Sequence, residues 1–244
     1  MGLGKATVKY LLKKAGFFVK RSSPVKPFEN RLVTIFRHLE VDCLYDIGAN
    51  SGQFAKMIRE AGYKGMIISV EPLKDAHKVL CDNSGNDPQW KVLERMAIGD
   101  KDTVSYINVA KNSVSSSLRQ VLDSHLSSEP SSRIVRKERV NVKRLDSLFQ
   151  LQSKTVKFLK LDTQGNELDI LKNSRKLSSL AGIQVEVSFE HLYEGDVLFN
   201  VMKDFLEKKG FVFWAMEPCF SDKRTGKVLQ ADAIFIKDEK ANVC

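Results

Sequence analysis

The chain has no apolar run approaching the roughly 20 residues that a membrane-spanning helix needs, so no spanning segment is read in it. Paired cysteines are missing as well. Cys43, Cys81, Cys219 and Cys244 show no C-x-x-C spacing, and Cys43 falls in a buried-strand pattern; this argues against a disulfide or zinc framework and for a reducing, cytoplasmic setting. Acids are absent from residues 1–28, which carry seven Lys and Arg. Taking those seven from the 39 basic residues leaves 32 against 30 acids, so the formal net charge of +9 sits mostly in one short segment and the body is nearly neutral. Such a body offers no broad surface to a polyanion, and no nucleic-acid partner is expected. The G-x-G-x-x-G dinucleotide fingerprint is also lacking. What is present, 244 residues of which 43% are hydrophobic, is ample to bury the core of one globular domain.

The most informative stretch is Leu44 to Phe54, L-Y-D-I-G-A-N-S-G-Q-F. Val41, Leu44, Tyr45 and Ile47 supply the apolar, β-prone run of a buried strand, and Gln53 to Ala61 changes to helical spacing with Phe54, Met57, Ile58 and Ala61 on one side. Between them Gly48 and Gly52, lacking Cβ, let the backbone turn sharply and come close to a ligand. Strand, glycine turn and helix form the first half of a nucleotide-type βα unit, whose ligands lie beyond the carboxyl ends of parallel strands; Asp46, the strand's last acid, faces that crevice. A second apolar strand, Met66 to Val70, delivers Glu71, followed by Pro72. An acid about 20 residues past the glycine loop is placed to accept hydrogen bonds from a ribose.

A second block, Val156 to Leu171, reads V-K-F-L-K-L-D-T-Q-G-N-E-L-D-I-L and repeats the strand-to-helix pattern. Phe158, Leu159 and Leu161 are buried-strand residues, Gly165 relieves the turn, and Leu168, Ile170 and Leu171 begin an amphipathic helix. Asp162, Gln164 and Glu167 then stand beyond the strand, beside the site opened by Asp46. Ile183 to Val187 is a further strand that brings Glu186 to the same rim, with Glu190 and His191 just beyond. Carboxylates gathered at strand ends serve chemistry more often than structure, although one alone would serve equally as a helix cap. A lone histidine such as His191 is more often a hydrogen-bonded surface residue.

Around these blocks the chain divides into residues 1–40 and a domain at 41–240. Residues 1–20 read as a basic amphipathic helix, with Lys5, Lys9 and Lys13 four apart and Val8, Leu11, Leu12 and Phe18 on an apolar side. Such a helix either packs on the core or a second subunit with its lysines solvated, or makes peripheral contact with an anionic membrane. Lys13 and Lys14 interrupt it too soon for a signal peptide. Ser22 to Pro27 breaks it, and a second helix runs to about Leu39. Within the domain, Lys74 to Cys81 reads as a helix, Trp90 to Leu93 and Thr103 to Ala110 as strands, and Met96 to Asp102 as a turn at the ligand end. Residues 111–139 read as a long, serine-rich polar loop, an acceptor-side lid. In it Arg133, Arg136, Lys137 and Arg139 either meet an anionic acceptor or are simply solvated. Val140 to Leu145 is a short strand and Phe199 to Lys209 a helix, and Phe211 to Met216 pairs with Ala231 to Ile236 in an antiparallel hairpin.

Taken in order, D-I-G-A-N-S-G-Q-F and K-L-D-T-Q-G-N-E-L-D-I-L resemble the FkbM family of methyltransferases. The likeness runs from about Asp42 to Ile236, through the A-I-G-D segment, R-L-D-S-L, V-E-V and A-D-A-I-F-I, and leaves residues 1–40 outside. It implies an α/β, Rossmann-like class I methyltransferase fold: a seven-stranded, mostly parallel sheet with one antiparallel strand and helices on both faces. It also implies S-adenosyl-L-methionine as cofactor and methyl transfer to a hydroxyl of a small-molecule or glycan acceptor, whether sugar, glycan, glycolipid or related metabolite. Carried over, Asp46, Gly48, Asn50, Gly52 and Phe54 would cradle the cofactor's amino-acid end, Glu71 its ribose, and Met96 and Ala97 its adenine, with Asp162 below the transferring methyl. A sulfonium methyl needs chiefly alignment with the incoming oxygen. A sugar hydroxyl is a poor nucleophile, so a base or a metal must activate it. Asp162 is the first candidate for the base, ahead of Glu186, Glu167 and His191; no metal ligands are assigned, and a divalent ion stays open as the other activator. Two alternatives share the strand-loop-acid geometry. A nicotinamide-dependent oxidoreductase would want the missing fingerprint, and the intact acids speak against a non-catalytic cofactor-binding scaffold.

Overall fold

The computed structural model describes residues 27–150 and 156–241; the basic helix expected at residues 1–20 lies outside them. The first helix, α1 (Pro27–His38), begins on a proline whose missing N–H is not needed at that position. Leu32, Val33, Ile35 and Phe36 recur at helical spacing on its buried face, and Phe36 meets the rings of Phe158 and Tyr63 at centroid distances of 4.8 and 5.2 Å. This helix is part of the same apolar cluster as Leu44, Ile67 and Ile234.

Strands and helices then alternate: β1 (Cys43–Ile47), α2 (Gln53–Glu60), β2 (Met66–Val70), α3 (Lys74–Ser84) and β3 (Trp90–Val92). Next come β4 (Ala97–Gly99), β5 (Thr103–Ala110), the short α4 (Asp123–Ser128) and β6 (Ile134–Arg144). The last third holds β7 (Lys157–Leu161), α5 (Glu167–Lys172), β8 (Leu180–Ser188), α6 (Phe199–Lys208), β9 (Phe211–Ser221) and β10 (Val228–Lys237). Seven strands form one sheet in the order β3-β2-β1-β7-β8-β10-β9. Pairing is parallel from β3 through β8, and β10 runs antiparallel to both its neighbours. This is the expected Rossmann-like class I fold. The strand order reverses between β1 and β7, so a crevice opens at their carboxyl ends, where open α/β sheets bind their ligands.

A second, three-stranded sheet in the order β4-β6-β5 was not expected, and it corrects the reading of residues 111–139. The loop ends at Arg133, and β6 runs for 11 residues against β5, from Ala110 opposite Ile134 to Thr103 opposite Val142. The strand hid because its first half faces solvent and only Val140 and Val142 are buried, which leaves no apolar alternation where the charges lie. Arg133, Arg136, Lys137 and Arg139 are exposed, and Arg136 pairs outward with Asp75 at 3.0 Å and with Glu138 at 2.8 Å. Residues 111–133 are anchored at several points. Ser117 Oγ donates to the carbonyl of Gln164 at 2.6 Å, and Arg119 donates to Asn166 Oδ1 at 3.1 Å and to the carbonyl of Glu194 at 2.6 Å.

Candidate active site

At the end of β1 the chain passes through Gly48 (φ 78°), Asn50 (47°) and Gly52 (87°), all left-handed. A Cβ on Gly48 would lie 1.8 Å from the carbonyl oxygen of Asp162, so only glycine lets the two motif turns touch. The Asp162 amide donates to the carbonyl of Ile47 at 3.1 Å and binds the same turns together. The Asn50 amide donates to Glu71 Oε2 at 2.7 Å and the Leu73 amide to Glu71 Oε1 at 2.8 Å. Burial pushes the Glu71 carboxyl up to about 7, against the pull of those two amides.

Beneath these turns lies a polar row that sequence reasoning missed. Ser69, Asp46, Lys160 and Gln184 are direct register partners across β2, β1, β7 and β8, and all four are buried. Trp90 Nε1 donates to Ser69 Oγ at 2.9 Å, and Ser69 Oγ to Asp46 Oδ2 at 3.3 Å. Lys160 Nζ stands 3.6 Å from Asp46 Oδ1 and 3.1 Å from Asp162 Oδ2, and 5.5 Å from the centroid of the Phe54 ring. Burial disfavours the ammonium, but Asp162 and Asp46 more than offset it and hold Lys160 above its ordinary pKa. Burial also raises Asp46, with Lys160 pulling the other way. The signal was legible in principle: a lysine inside F-L-K-L, and polar residues at alternate positions of I-Q-V-E-V, are out of place in buried central strands.

A cavity of about 580 Å³ fills the crevice. Its lining includes Gly48, Asn50 and Glu71, the apolar Leu73, Met96, Ala97, Ile98 and Leu118, and Phe54, Lys160, Asp162, Thr163 and Asp232. Of the residues expected at the cofactor, Gly48, Asn50, Phe54, Glu71, Met96 and Ala97 line this space, whereas Asp46 and Gly52 do not. Asp46 is fully buried as part of the strand row, and Gly52 caps α2 where a Cβ would strike Trp90 at 2.7 Å.

Of the expected catalytic group, the structure unites Asp162 and Glu186. The Gln164 side-chain amide donates to Asp162 Oδ1 at 2.7 Å and to Glu186 Oε2 at 2.9 Å, while the buried Tyr193 hydroxyl donates to Gln164 Oε1 at 2.6 Å and so fixes the amide's orientation. Burial raises the Glu186 carboxyl well above its usual value, helped by the charges of Asp162, Glu167 and Asp232. Glu167 faces the turn instead. It accepts from the amides of Thr163 at 2.6 Å and Gly165 at 2.9 Å, does not line this cavity, and is pushed up to about 7 by burial. His191 is half exposed on a separate loop, its Nδ1 2.6 Å from Asp196 Oδ1. Among the described residues no three His, Cys, Asp or Glu side chains converge as a metal site.

A doubly wound sheet with its cavity at the β1/β7 switch point defines a Rossmann-like class I methyltransferase fold. The family described as methyltransferase FkbM domain matches residues 46–213, well over half of the chain, and the chain belongs to it. That membership makes S-adenosyl-L-methionine the methyl donor and sets the nicotinamide reading aside. Among solved structures the chain is similar to Aeropyrum pernix fibrillarin in complex with S-adenosyl-L-methionine, at 11% identity over 80% of this chain and 66% of that one, with a TM-score of 0.45. It is also similar to M. capricolum TrmK in complex with S-adenosyl-homocysteine (9% identity, 88% of this chain and 70% of that one, TM-score 0.44). A third is the METTL16 methyltransferase domain (11% identity, 93% of this chain and 76% of that one, TM-score 0.48). No curated protein sequence matches the chain.

Proposed function

We propose that the chain is an O-methyltransferase that moves the methyl group of S-adenosyl-L-methionine to a hydroxyl of a sugar, glycan, glycolipid or related metabolite, with Asp162 as general base. The carrying observation is the setting of Asp162. It follows β7 directly, lines the cavity, keeps 30% of its side chain exposed, and has one oxygen held by Lys160 and the other by Gln164. A carboxylate aimed in this way cannot swing from the acceptor, and each oxygen retains a lone pair for a proton.

The lining residues suit the cofactor. Glu71 gives one lone pair of each oxygen to a backbone amide and keeps another for ribose hydroxyls. Leu73, Met96, Ala97, Ile98 and Leu118 give apolar walls to an adenine, and Gly48, Asn50 and Phe54 leave room for the amino-acid end. Asp46 and Gly52 act from behind, one through Lys160 and the other by closing the turn. Bound there, S-adenosyl-L-methionine supplies a methyl on a sulfonium, a leaving group that needs no activation. The chain's own task is to align the hydroxyl and take its proton. Asp162 takes it, Lys160 and Gln164 hold Asp162 in place, and Glu186 stands next in line through Gln164. Near-neutral charge outside residues 1–28 favours a small or glycan acceptor over a nucleic acid. Among the described residues no helix is long and apolar enough to cross a membrane. The reading places the enzyme in the cytoplasm, where residues 1–20 either pack on the protein or a second subunit or meet an anionic membrane surface.

The test is labelled methyl transfer to glycan and lipid extracts by the wild type and by Asp162→Asn, with and without chelator. Activity in wild type that survives chelation and is lost in the Asn variant supports the base. Chelation that abolishes the wild-type rate, with rescue by added divalent ion, moves activation to a metal; full activity of the Asn variant under chelation moves it to Glu186.

A further inference from the structure

We propose that a smaller cavity beside Asp162 is the acceptor subsite and that it takes one uncharged pyranose ring; this rests on the O-methyltransferase reading above. The cavity, about 260 Å³, shares Asp162, Gln164 and Val114 with the larger one. A ring in one space and a cofactor in the other therefore meet at a single carboxylate, as transfer between them requires.

The rest of the lining has the chemistry that recognises a polyol. Glu186 and Gln230 line it, with the Gln230 amide donating to Glu186 Oε2 at 2.7 Å, and Asn112 contributes a third group able to bond hydroxyls. Phe220 adds an aromatic ring to the lining, the kind of group that packs against the C–H side of a sugar, and it lies against the His125 ring at a centroid distance of 5.2 Å. His125 is 3% exposed, and its Nε2 lies 2.9 Å from Ser132 Oγ, while Nδ1 has no hydrogen-bond partner among the described residues. Burial pushes this histidine down to about 4, so it brings no positive charge at neutral pH. Among the described residues no Lys or Arg lines the cavity, whereas Glu129, Asp162 and Glu186 do. Lys160 is already engaged by Asp162 and Asp46, and Lys223 by Glu129 at 3.3 Å, so a phosphate or carboxylate on the reacting ring would find no cation in the lining to pair with.

The experiment uses the full chain loaded with S-adenosylhomocysteine, whose binding is first measured by calorimetry. Saturation-transfer NMR then follows the methyl α-glycosides of glucose, mannose and rhamnose, with methyl glucuronide and glucose 6-phosphate as anionic counterparts. The expected result is transfer to at least one neutral glycoside and none to the anionic probes, with affinity about tenfold weaker in Phe220→Leu and Gln230→Leu at unchanged affinity for S-adenosylhomocysteine. Phe220→Ala adds a second variant; Phe220→Leu keeps apolar bulk and so guards against a mere packing defect. If the loaded protein binds none of the neutral glycosides, binds the glucuronide equally well, or ignores all three substitutions, the subsite is overturned and the methyltransferase reading stands. Failure to bind S-adenosylhomocysteine overturns both.

Discussion

The two faces of the seven-stranded sheet are made by the same strands and are buried alike, yet they have opposite chemistry. On one face Tyr45, Ile47, Ile68, Val70, Leu159, Leu161, Ile183 and Val185 form an unbroken apolar cluster. On the other, Leu44, Ile67 and Phe158 begin as apolar, and two residues later Asp46, Ser69 and Lys160 take their places, with Gln184 beside them. The apolar face stabilises by removing hydrocarbon from water, at about 25 cal/mol per Å². The polar row does not stabilise in that way, because a charge taken out of water costs several kcal/mol unless it is paired. Its worth lies in what it supports: it carries Asp162 and the cavity floor. One face is apolar throughout, whereas the other changes from the apolar core under α1 to the row that holds the site in position.

Substitutions that break the row should therefore cost most. Lys160→Met leaves Asp46 and Asp162 without their counter-charge and should destabilise by about 3–5 kcal/mol in denaturant titration. Adding Asp46→Asn should recover part of it. A single variant as stable as wild type would show that the row is not held by charge. Asp162→Asn stays folded but should lower turnover by about 100-fold or more, with cofactor affinity nearly unchanged in calorimetry. Glu71→Ala should weaken S-adenosyl-L-methionine binding by about 1.5–3 kcal/mol, the scale of hydrogen bonds to a charged acceptor, and an unchanged affinity would remove Glu71 from the ribose site. On the apolar face Ile183→Val should lower stability by about 0.5–1.5 kcal/mol and leave kcat and KM alone.

The faces should also differ in their response to pH. Burial raises Glu71 and Glu167 to about 7 and Asp232 to about 6, each above its ordinary value near 4. A carboxyl raised on folding contributes stability that is fully present below its unfolded pKa and is lost as pH rises through the folded one. The cofactor-free protein should thus melt at a lower temperature at pH 8 than at pH 5. Glu71→Gln should flatten that slope and Ile183→Val should not. A melting temperature that rises over this interval would contradict the burial of these acids.

Local patterns carried much of this reading. The β1 and β7 turns announced themselves through an apolar run, a glycine and a returning helical period, and each of those signals lies within about a dozen residues. Glu71 was legible because the βα unit has a nearly constant length. Asp46 was expected to face the crevice and is instead fully buried in the strand row, because whether an acid near a strand end reaches the crevice or the core depends on the strands beside it.

The sequence by itself determined the alternation of strands and helices, the glycines at Gly48 and Gly52, and the acids that end β2 and β7, because each is a property of neighbouring residues. Only the tertiary structure decided that Ser69, Asp46, Lys160 and Gln184 share one row, that Ile134–Arg144 is a strand of a second sheet, and that His125 and Phe220 wall a cavity beside Asp162. The physical reason is register. Backbone hydrogen bonds between strands far apart in the chain choose which residues stand opposite one another, and a slip of one position would send every side chain of a strand to the other face.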